Sequence, residues 1–212
     1  MEPDLRRSML RYYDERALEY EEAYLRGTGT ASIPDPEVFR REASLLAGVV
    51  TRFAHGRILD LACGTGYWLP HYAGRGSSIT LLDQSGKMLD ESRKKTEALG
   101  VTVRCTVVQA DVFAHPFDER AYDCALVGFL LSHLTDEQER LVFETLGRIL
   151  DTAGRFLILD SAWSPERARF NAKIERQERR LNDGTRFEIY KRYVDRNDIH
   201  QWAKKYDVAT SI

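Results

Sequence analysis

The run Arg57-Ile58-Leu59-Asp60-Leu61-Ala62-Cys63-Gly64-Thr65-Gly66 constrains this chain more than any other stretch. Ile58 to Leu61 form a short, mostly apolar run that fits a buried parallel strand. Small residues follow, and a helical pattern starts at Tyr67. A strand that turns through small residues into a helix brings backbone N–H groups close to a ligand, at the positive end of a helix dipole. Dinucleotide-binding loops of this kind carry a third glycine, and here Leu69 holds that position.

From this strand onward, strands and helices alternate. Ser78–Asp83, Val101–Asp111, Tyr122–Val127 and Arg155–Asp160 read as further strands. Between them, Tyr67–Arg75 and Ser85–Leu99 read as helices, the second closed by Gly100. Thr135-Asp136-Glu137-Gln138 is a capping-box pattern opening another helix, with Leu141, Val142, Leu146, Ile149 and Leu150 inward and a stop at Ala153-Gly154. Such alternation predicts an α/β three-layer sandwich around a mostly parallel, doubly wound sheet. A chain of 212 residues is enough for one such domain, so residues 1–212 are expected to form a single unit.

The flanks depart from this rhythm. Asp4–Leu25 predicts a helix whose Leu5, Met9, Tyr13, Ala17, Tyr20 and Tyr24 share one face. Its four tyrosines suggest an N-terminal lid, continued by the loop Gly27–Pro36. Glu37–Ala54 predicts a second helix, with Val38, Leu45, Val49 and Phe53 along one side. Past Ser161, Ser164-Pro165 resembles a helix start, and the charged stretch to Leu181 reads as a helix with a solvated face. Asn182-Asp183-Gly184 is a turn, and Arg186–Val194 alternates as a half-exposed strand does, with Phe187, Ile189 and Lys191 on one side. Asn197–Lys205 then predicts a helix and Asp207–Ile212 a strand.

Composition narrows the class. A net charge of −2 argues against a constitutive nucleic-acid binder, which normally carries a basic surplus. Cys63, Cys105 and Cys124 have no paired spacing and read as buried apolar residues in a reducing compartment. No apolar run approaches the roughly 18 residues of a membrane span. The expectation is a cytoplasmic enzyme or binding protein, without a metal-ligand cluster.

Three aspartates, Asp60, Asp83 and Asp111, fall in or at the ends of successive strands. In an open parallel sheet, ligands lie in the crevice outside those ends. A carboxylate at Asp83 can accept both hydroxyls of a ribose. His133, just beyond the fourth strand, is the best-placed candidate base on chemical grounds.

Asp60-Leu61-Ala62-Cys63-Gly64-Thr65-Gly66 resembles the first motif, D/E-h-G/A-x-G-x-G, of the class I S-adenosylmethionine (SAM)-dependent methyltransferases. Asp83-Gln84-Ser85 with Met88-Leu89, Gln109-Ala110-Asp111-Val112, Gly128-Phe129-Leu130-Leu131-Ser132-His133-Leu134 and the Gly154 turn before the fifth strand match further motifs of that family. The resemblance covers about Asp60 to Asp160. It implies SAM as cofactor and S-adenosylhomocysteine (SAH) as product. It also implies a cofactor site of Tyr20, Asp60, Ala62, Gly64, Gly66, Asp83, Gln84, Met88, Asp111, Val112, Gly128 and Phe129. In that reading Asp60 steadies the amino-acid tail of SAM, Asp111 accepts from the adenine amine, Val112 adds a backbone N–H and Met88 packs on the ring. Gly128 meets the methionine end, and Tyr20 closes from the lid.

The acceptor is expected to be a small molecule with an O or N nucleophile, its pocket shaped by Tyr12, Tyr13, Arg26 and residues 161–194. A nicotinamide-dependent oxidoreductase is the rival, but it calls for a glycine at Leu69; a non-catalytic SAM-binding module is another. The family sheet usually ends with a sixth parallel and a seventh antiparallel strand, and no residues remain for the seventh. A shortened chain, Arg186–Val194 at an edge, or a second copy pairing at an open edge would each account for that.

Overall fold

A computed structural model describes residues 1–22, 24, 36–165, 167–169 and 171–209. The N-terminal helix α1 spans Pro3–Arg16 and α2 spans Pro36–Phe53. Then come β1 (Gly56–Leu61), the short α3 (Leu69–Tyr72), β2 (Gly76–Asp83), α4 (Gly86–Ala98), β3 (Cys105–Gln109) and β4 (Tyr122–Gly128). The chain continues through α5 (Asp136–Ile149), β5 (Leu150–Leu159), β6 (Ile174–Arg180), β7 (Arg186–Arg192) and α6 (Arg196–Lys205).

β1 to β5 form a parallel sheet in the order β3-β2-β1-β4-β5, so the chain winds outward from β1 in both directions. The alternation of apolar residues explains the three layers. Ile58, Ile79, Leu81, Cys124 and Leu126 point to one face, where Val50 of α2, Tyr72 of α3 and Leu89 of α4 cover them. Leu59, Leu61, Ala125 and Val127 point to the other, against Val142, Leu146 and Ile149 of α5 and Trp202 of α6. Each such fully buried aliphatic side chain contributes roughly 1.5–3 kcal/mol. Parallel register brings the carboxyl ends of the strands to one rim: Leu61 lies beside Leu82 and Val127, and Asp83 beside Gln109.

The helix caps follow the sequence. Ser85 accepts from the Met88 N–H at 3.2 Å to start α4, and Thr135 with Gln138 closes a capping box on α5. On α5, Val142, Phe143 and Leu146 turn inward and Leu141 outward, because the packed stripe is narrower than the apolar one. On α2, Leu45 is exposed and Ala43, Val50 and Ala54 are buried instead. The cysteines are free thiols, Cys63 and Cys124 buried.

The largest correction lies beyond β5. The helix expected from Ser164 to Leu181 is instead a short 3-10 turn at Arg167–Arg169 followed by β6. β6 pairs antiparallel with β7, Gln177 opposite Ile189, around the turn that Asn182-Asp183-Gly184 supplies. Its inward positions, Gln177 and Arg179, are polar, so a search for alternating apolar residues passes over it. α1 is also shorter than expected: regular helix ends at Arg16 and turns carry the chain to Glu21. Tyr12 is its buried tyrosine, in a cluster with Leu5, Met9, Leu181, Phe187 and Ile189. α1 and the β6–β7 hairpin therefore pack as one cover, which Ser8 Oγ reinforces by donating to the Glu188 carbonyl at 2.9 Å.

Residues 207–209 form no strand, and the rest of the strand expected at Asp207–Ile212 lies outside the described residues, as do Arg26 and most of the Gly27–Pro36 loop. No described strand pairs with the outer edge of β5. Among the described residues no helix is long and apolar enough to cross a membrane.

Candidate active site

The order of winding makes β1 and β4 the switch point of the sheet, and the backbone is strained at both of their carboxyl ends. Ala62 has φ 59° and Phe129 φ 56°, left-handed values that glycine would take without penalty. Both residues line a cavity of about 1080 Å³ that opens over the rim and is roofed by α1 and the hairpin. Gly64 (φ 56°) stands beside Asp83 at the carboxyl end of β2, and a Cβ there would meet only the Met88 sulfur at 4.0 Å. Gly66 serves a different purpose. Its φ is 70°, and an added Cβ would stand 3.0 Å from Ser92 Oγ, so it lets the loop rest on α4. Leu69, at the third glycine position, is fully buried in the core.

Of the twelve expected cofactor positions, Tyr20, Ala62, Gly64, Asp83, Gln84, Met88, Asp111, Val112, Gly128 and Phe129 line this cavity. Asp60 and Gly66 stand behind the wall. Asp60 is 1% exposed and accepts from the Tyr72 hydroxyl at 2.5 Å. Its position in the middle of a strand pair turns its side chain into the α3 face.

Asp83 accepts the Gly64 N–H on Oδ2 and the Ser85 N–H on Oδ1, each at 2.9 Å. Burial pushes its pKa up, and those two N–H groups oppose the rise. They also fix the plane of the carboxylate, which keeps lone pairs for further donors. Asp111 accepts from the Phe113 N–H at 3.1 Å and forms an ion pair with Arg6 of α1. A fixed acidic fork beside a loop of close-approach backbone can accept O–H and N–H donors of a ligand in the cavity.

His133 ends the 3-10 turn Leu131–His133 and is buried. Its Nδ1 is 2.8 Å from the Tyr190 carbonyl, and its Nε2 is 2.7 Å from the Tyr13 hydroxyl. A carbonyl only accepts, so Nδ1 carries the proton and the Nε2 lone pair receives the Tyr13 O–H. Burial holds the imidazole well below its usual pKa, and the charges of Lys191, Arg179 and Arg16 add to this. The same burial raises the Tyr13 phenol.

Strand β7 holds this turn residue by residue. Arg192 Nε donates to the Leu131 carbonyl at 3.0 Å, Lys191 Nζ to Ser132 Oγ at 2.7 Å, and Tyr190 receives His133. Arg192 is anchored in turn by an ion pair with buried Glu139, which also accepts from Tyr206 at 2.8 Å.

A profile of the family described as "Methyltransferase domain" matches residues 58–154, the part of the chain that builds this rim. Over these residues the chain is similar to that family. The chain is 34% identical over 107 residues to the ubiquinone/menaquinone biosynthesis C-methyltransferase UbiE of Pasteurella multocida (strain Pm70), covering 49% of this chain and 39% of that protein. The UbiE of Blochmanniella pennsylvanica (strain BPEN) is 35% identical over 106 residues, with 49% and 41% covered. The chain thus spans about two fifths of the length of the curated relatives it matches.

Among solved structures, a DhpI–SAM–HEP complex superposes with a TM-score of 0.75 at 22% identity, covering 98% of this chain and 91% of that one. The [4+2]-cyclase SpnF shares the fold as well, with a TM-score of 0.59 at 18% identity and 79% and 58% covered.

Around this rim the structure adds further wall residues; the sequence pointed to residues 161–194 only as a stretch and not to Arg16. Arg16 comes from α1, and Gln177, Arg179 and Tyr193 from the hairpin. The Asn182-Asp183-Gly184 turn beside the alternating Arg186–Val194 was the signal that could have found Gln177 and Arg179, because a tight turn before one strand predicts another ahead of it.

Proposed function

We propose that this chain transfers a methyl group from SAM to an oxygen or nitrogen nucleophile of a small-molecule acceptor and releases SAH. One observation carries this reading furthest. The strand-end set, from Ala62 and Gly64 through Asp83 and Asp111 to Gly128, shares a single cavity with the hydrogen-bonded pair Tyr13–His133.

SAM supplies, when bound, a methyl group already activated by the sulfonium. The protein's part is to position, exclude water and take up a proton. Asp83 would hold the ribose hydroxyls, with Gln84 beside it. Asp111 would receive the adenine amine once it parts from Arg6, with Met88 and Val112 against the ring. Ala62, Gly64, Gly128 and Phe129 allow close backbone approach to the amino-acid end, and Tyr20 closes over it.

An acceptor hydroxyl that donates to Tyr13 Oη would lose its proton as Tyr13 passes its own to His133 Nε2. Nδ1–H on the Tyr190 carbonyl stabilises the imidazolium that results. The roof of α1 and hairpin favours a compact acceptor over a macromolecule.

Carbon methylation is the second reading, because the UbiE relatives carry that activity in their names. The two differ in product. With ¹³C-methyl SAM and a pool of small acceptors, a methyl carbon on oxygen or nitrogen resonates well downfield of one on carbon. Calorimetry comes first: SAH is expected to bind and NAD is not, and NAD binding alone would remove the proposal.

A further inference from the structure

Charge divides the cavity into two halves. Its carboxylates, Asp83 and Asp111, stand at the rim of the sheet, where Arg6 already neutralises Asp111. Its other cations, Arg16 of α1 and Arg179 and Lys191 of the hairpin, come from the cover over that rim, close enough to His133 for all three charges to act on its ring.

The surroundings of the two guanidiniums are short of negative charge. Arg16 lies over the rings of Tyr12 and Tyr20, 5.5 and 4.8 Å from their centroids. Its Nε is buried without a hydrogen-bond partner. Arg179 donates to the Glu178 carbonyl at 3.3 Å and to Gln177 Oε1, both uncharged acceptors. Neither forms an ion pair with a carboxylate among the described residues. Lys191 brings a third charge, with Nζ donating to Ser132 Oγ at 2.7 Å and Ser161 Oγ at 2.9 Å.

Gathering like charges away from bulk water is unfavourable unless an anion completes the group. A ligand that brings a sulfonium to the same cavity sharpens the need. Planar guanidiniums with unused N–H groups match a carboxylate or phosphoryl oxyanion by paired hydrogen bonds.

We propose that the methyl acceptor is a small acid, held by its oxyanion between Arg16 and Arg179 with Lys191 behind them, opposite the strand-end half of the cavity. The word acceptor rests on the methyltransferase reading; the anion site itself does not. The cations would then set specificity by charge, and the Tyr13–His133 pair would stand beside the bound acid.

The test is calorimetry on the full chain, with and without SAH. The panel comprises short aliphatic and aromatic carboxylates, methylphosphonate, inorganic phosphate and the primary amides of the same carboxylates. At least one acid is expected to bind saturably, with its neutral counterpart at least about tenfold weaker. The carboxylate and phosphonate arms tell a planar from a tetrahedral oxyanion.

Arg179→Met and Arg16→Met should each weaken the acid at least about tenfold and leave SAH affinity within about twofold. Arg179→Lys, which keeps the charge, should recover part of the loss, and thermal unfolding of each variant checks the fold.

Equal binding of acid and amide would overturn the proposal, as would saturable binding by no member of the panel. Loss of SAH affinity with acid binding intact would assign the cluster to the carboxylate of the cofactor instead. If the wild-type chain bound an acid but no SAH, the methyltransferase reading would fail and the anion site would stand.

Discussion

Asp60→Asn separates the two roles that sequence and fold suggest for one side chain. Asp60 is 1% exposed, and burial raises its pKa from 3.8 to about 7, while the Tyr72 hydrogen bond opposes the rise and the Asp83 charge adds to it. In the unfolded chain the group titrates near its ordinary value. Between about pH 4 and pH 7 the folded state therefore holds a proton that the unfolded state has lost. The sign follows: stability from this group is complete below the unfolded pKa and falls as pH rises through the folded one. About three pH units at about 1.4 kcal/mol each come to about 4 kcal/mol. Asn has no charge to bury and keeps an oxygen for Tyr72. Urea unfolding of both proteins from pH 4 to pH 8, compared as a difference, cancels most other titrating groups. The variant should gain about 4 kcal/mol on the wild type across that range. A difference flat with pH would refute the buried, proton-holding Asp60. SAH affinity is the second readout, expected to change less than about threefold, because the carboxylate stands behind the cavity wall.

Asp83→Ala should weaken SAH binding by roughly 1.5–3 kcal/mol, as for a lost hydrogen bond to a charged group, and unchanged affinity in calorimetry would take Asp83 off the ribose. His133→Ala should lower kcat by about 10²–10⁴ with SAH affinity retained, and Tyr13→Phe should act in the same direction; wild-type turnover in both would leave positioning as the whole mechanism. Because burial holds His133 neutral well below its usual pKa, kcat should not fall on its account between pH 8 and its ordinary 6.5, and should fall only in more acid solution. Stability from the same group is present above pH 6.5 and lost as pH drops toward the depressed folded pKa, which a thermal melt series would follow. Arg192→Met removes the closer of the two ion-pair partners of buried Glu139, leaving Lys205 Nζ at 3.5 Å, and should destabilise the fold by about 3 kcal/mol; a loss under about 1 kcal/mol by urea titration would mean that Lys205 or water compensates the carboxylate.

The parallel sheet was legible because its signals are local and redundant. Each strand is an apolar run that ends at a small or acidic residue, and α4 and α5 are opened by the caps Ser85 and Thr135. Where signals compete, tertiary packing decides. Leu45 and Leu141 look inward by composition, yet the helices that carry them bury neighbouring residues and turn these two to solvent. The stretch from Ser164 misleads more deeply. Serine and proline open it as a helix should, and the alternation of β6 is written in Gln177 and Arg179 against Arg176 and Glu178, charged and amide residues that a hydrophobic period does not register.

The same reason explains which half of the cavity could be read. The strand-end half is built from single chain segments, each with its chemistry beside a turn, so Asp83, Asp111 and Gly64 announce themselves in order. The opposite half exists only when three distant segments meet: α1 brings Tyr13 and Arg16, the turn after β4 brings His133, and the hairpin brings Arg179 and Lys191. Its geometry depends on Tyr190, Lys191 and Arg192 bonding in sequence to His133, Ser132 and Leu131. That zipper couples the His133 turn to the hairpin side of the cavity. A substitution that shifts β7 would therefore reorient the His133 ring and displace Lys191 together, so selectivity for the acceptor and the proton step should change as one property of this fold.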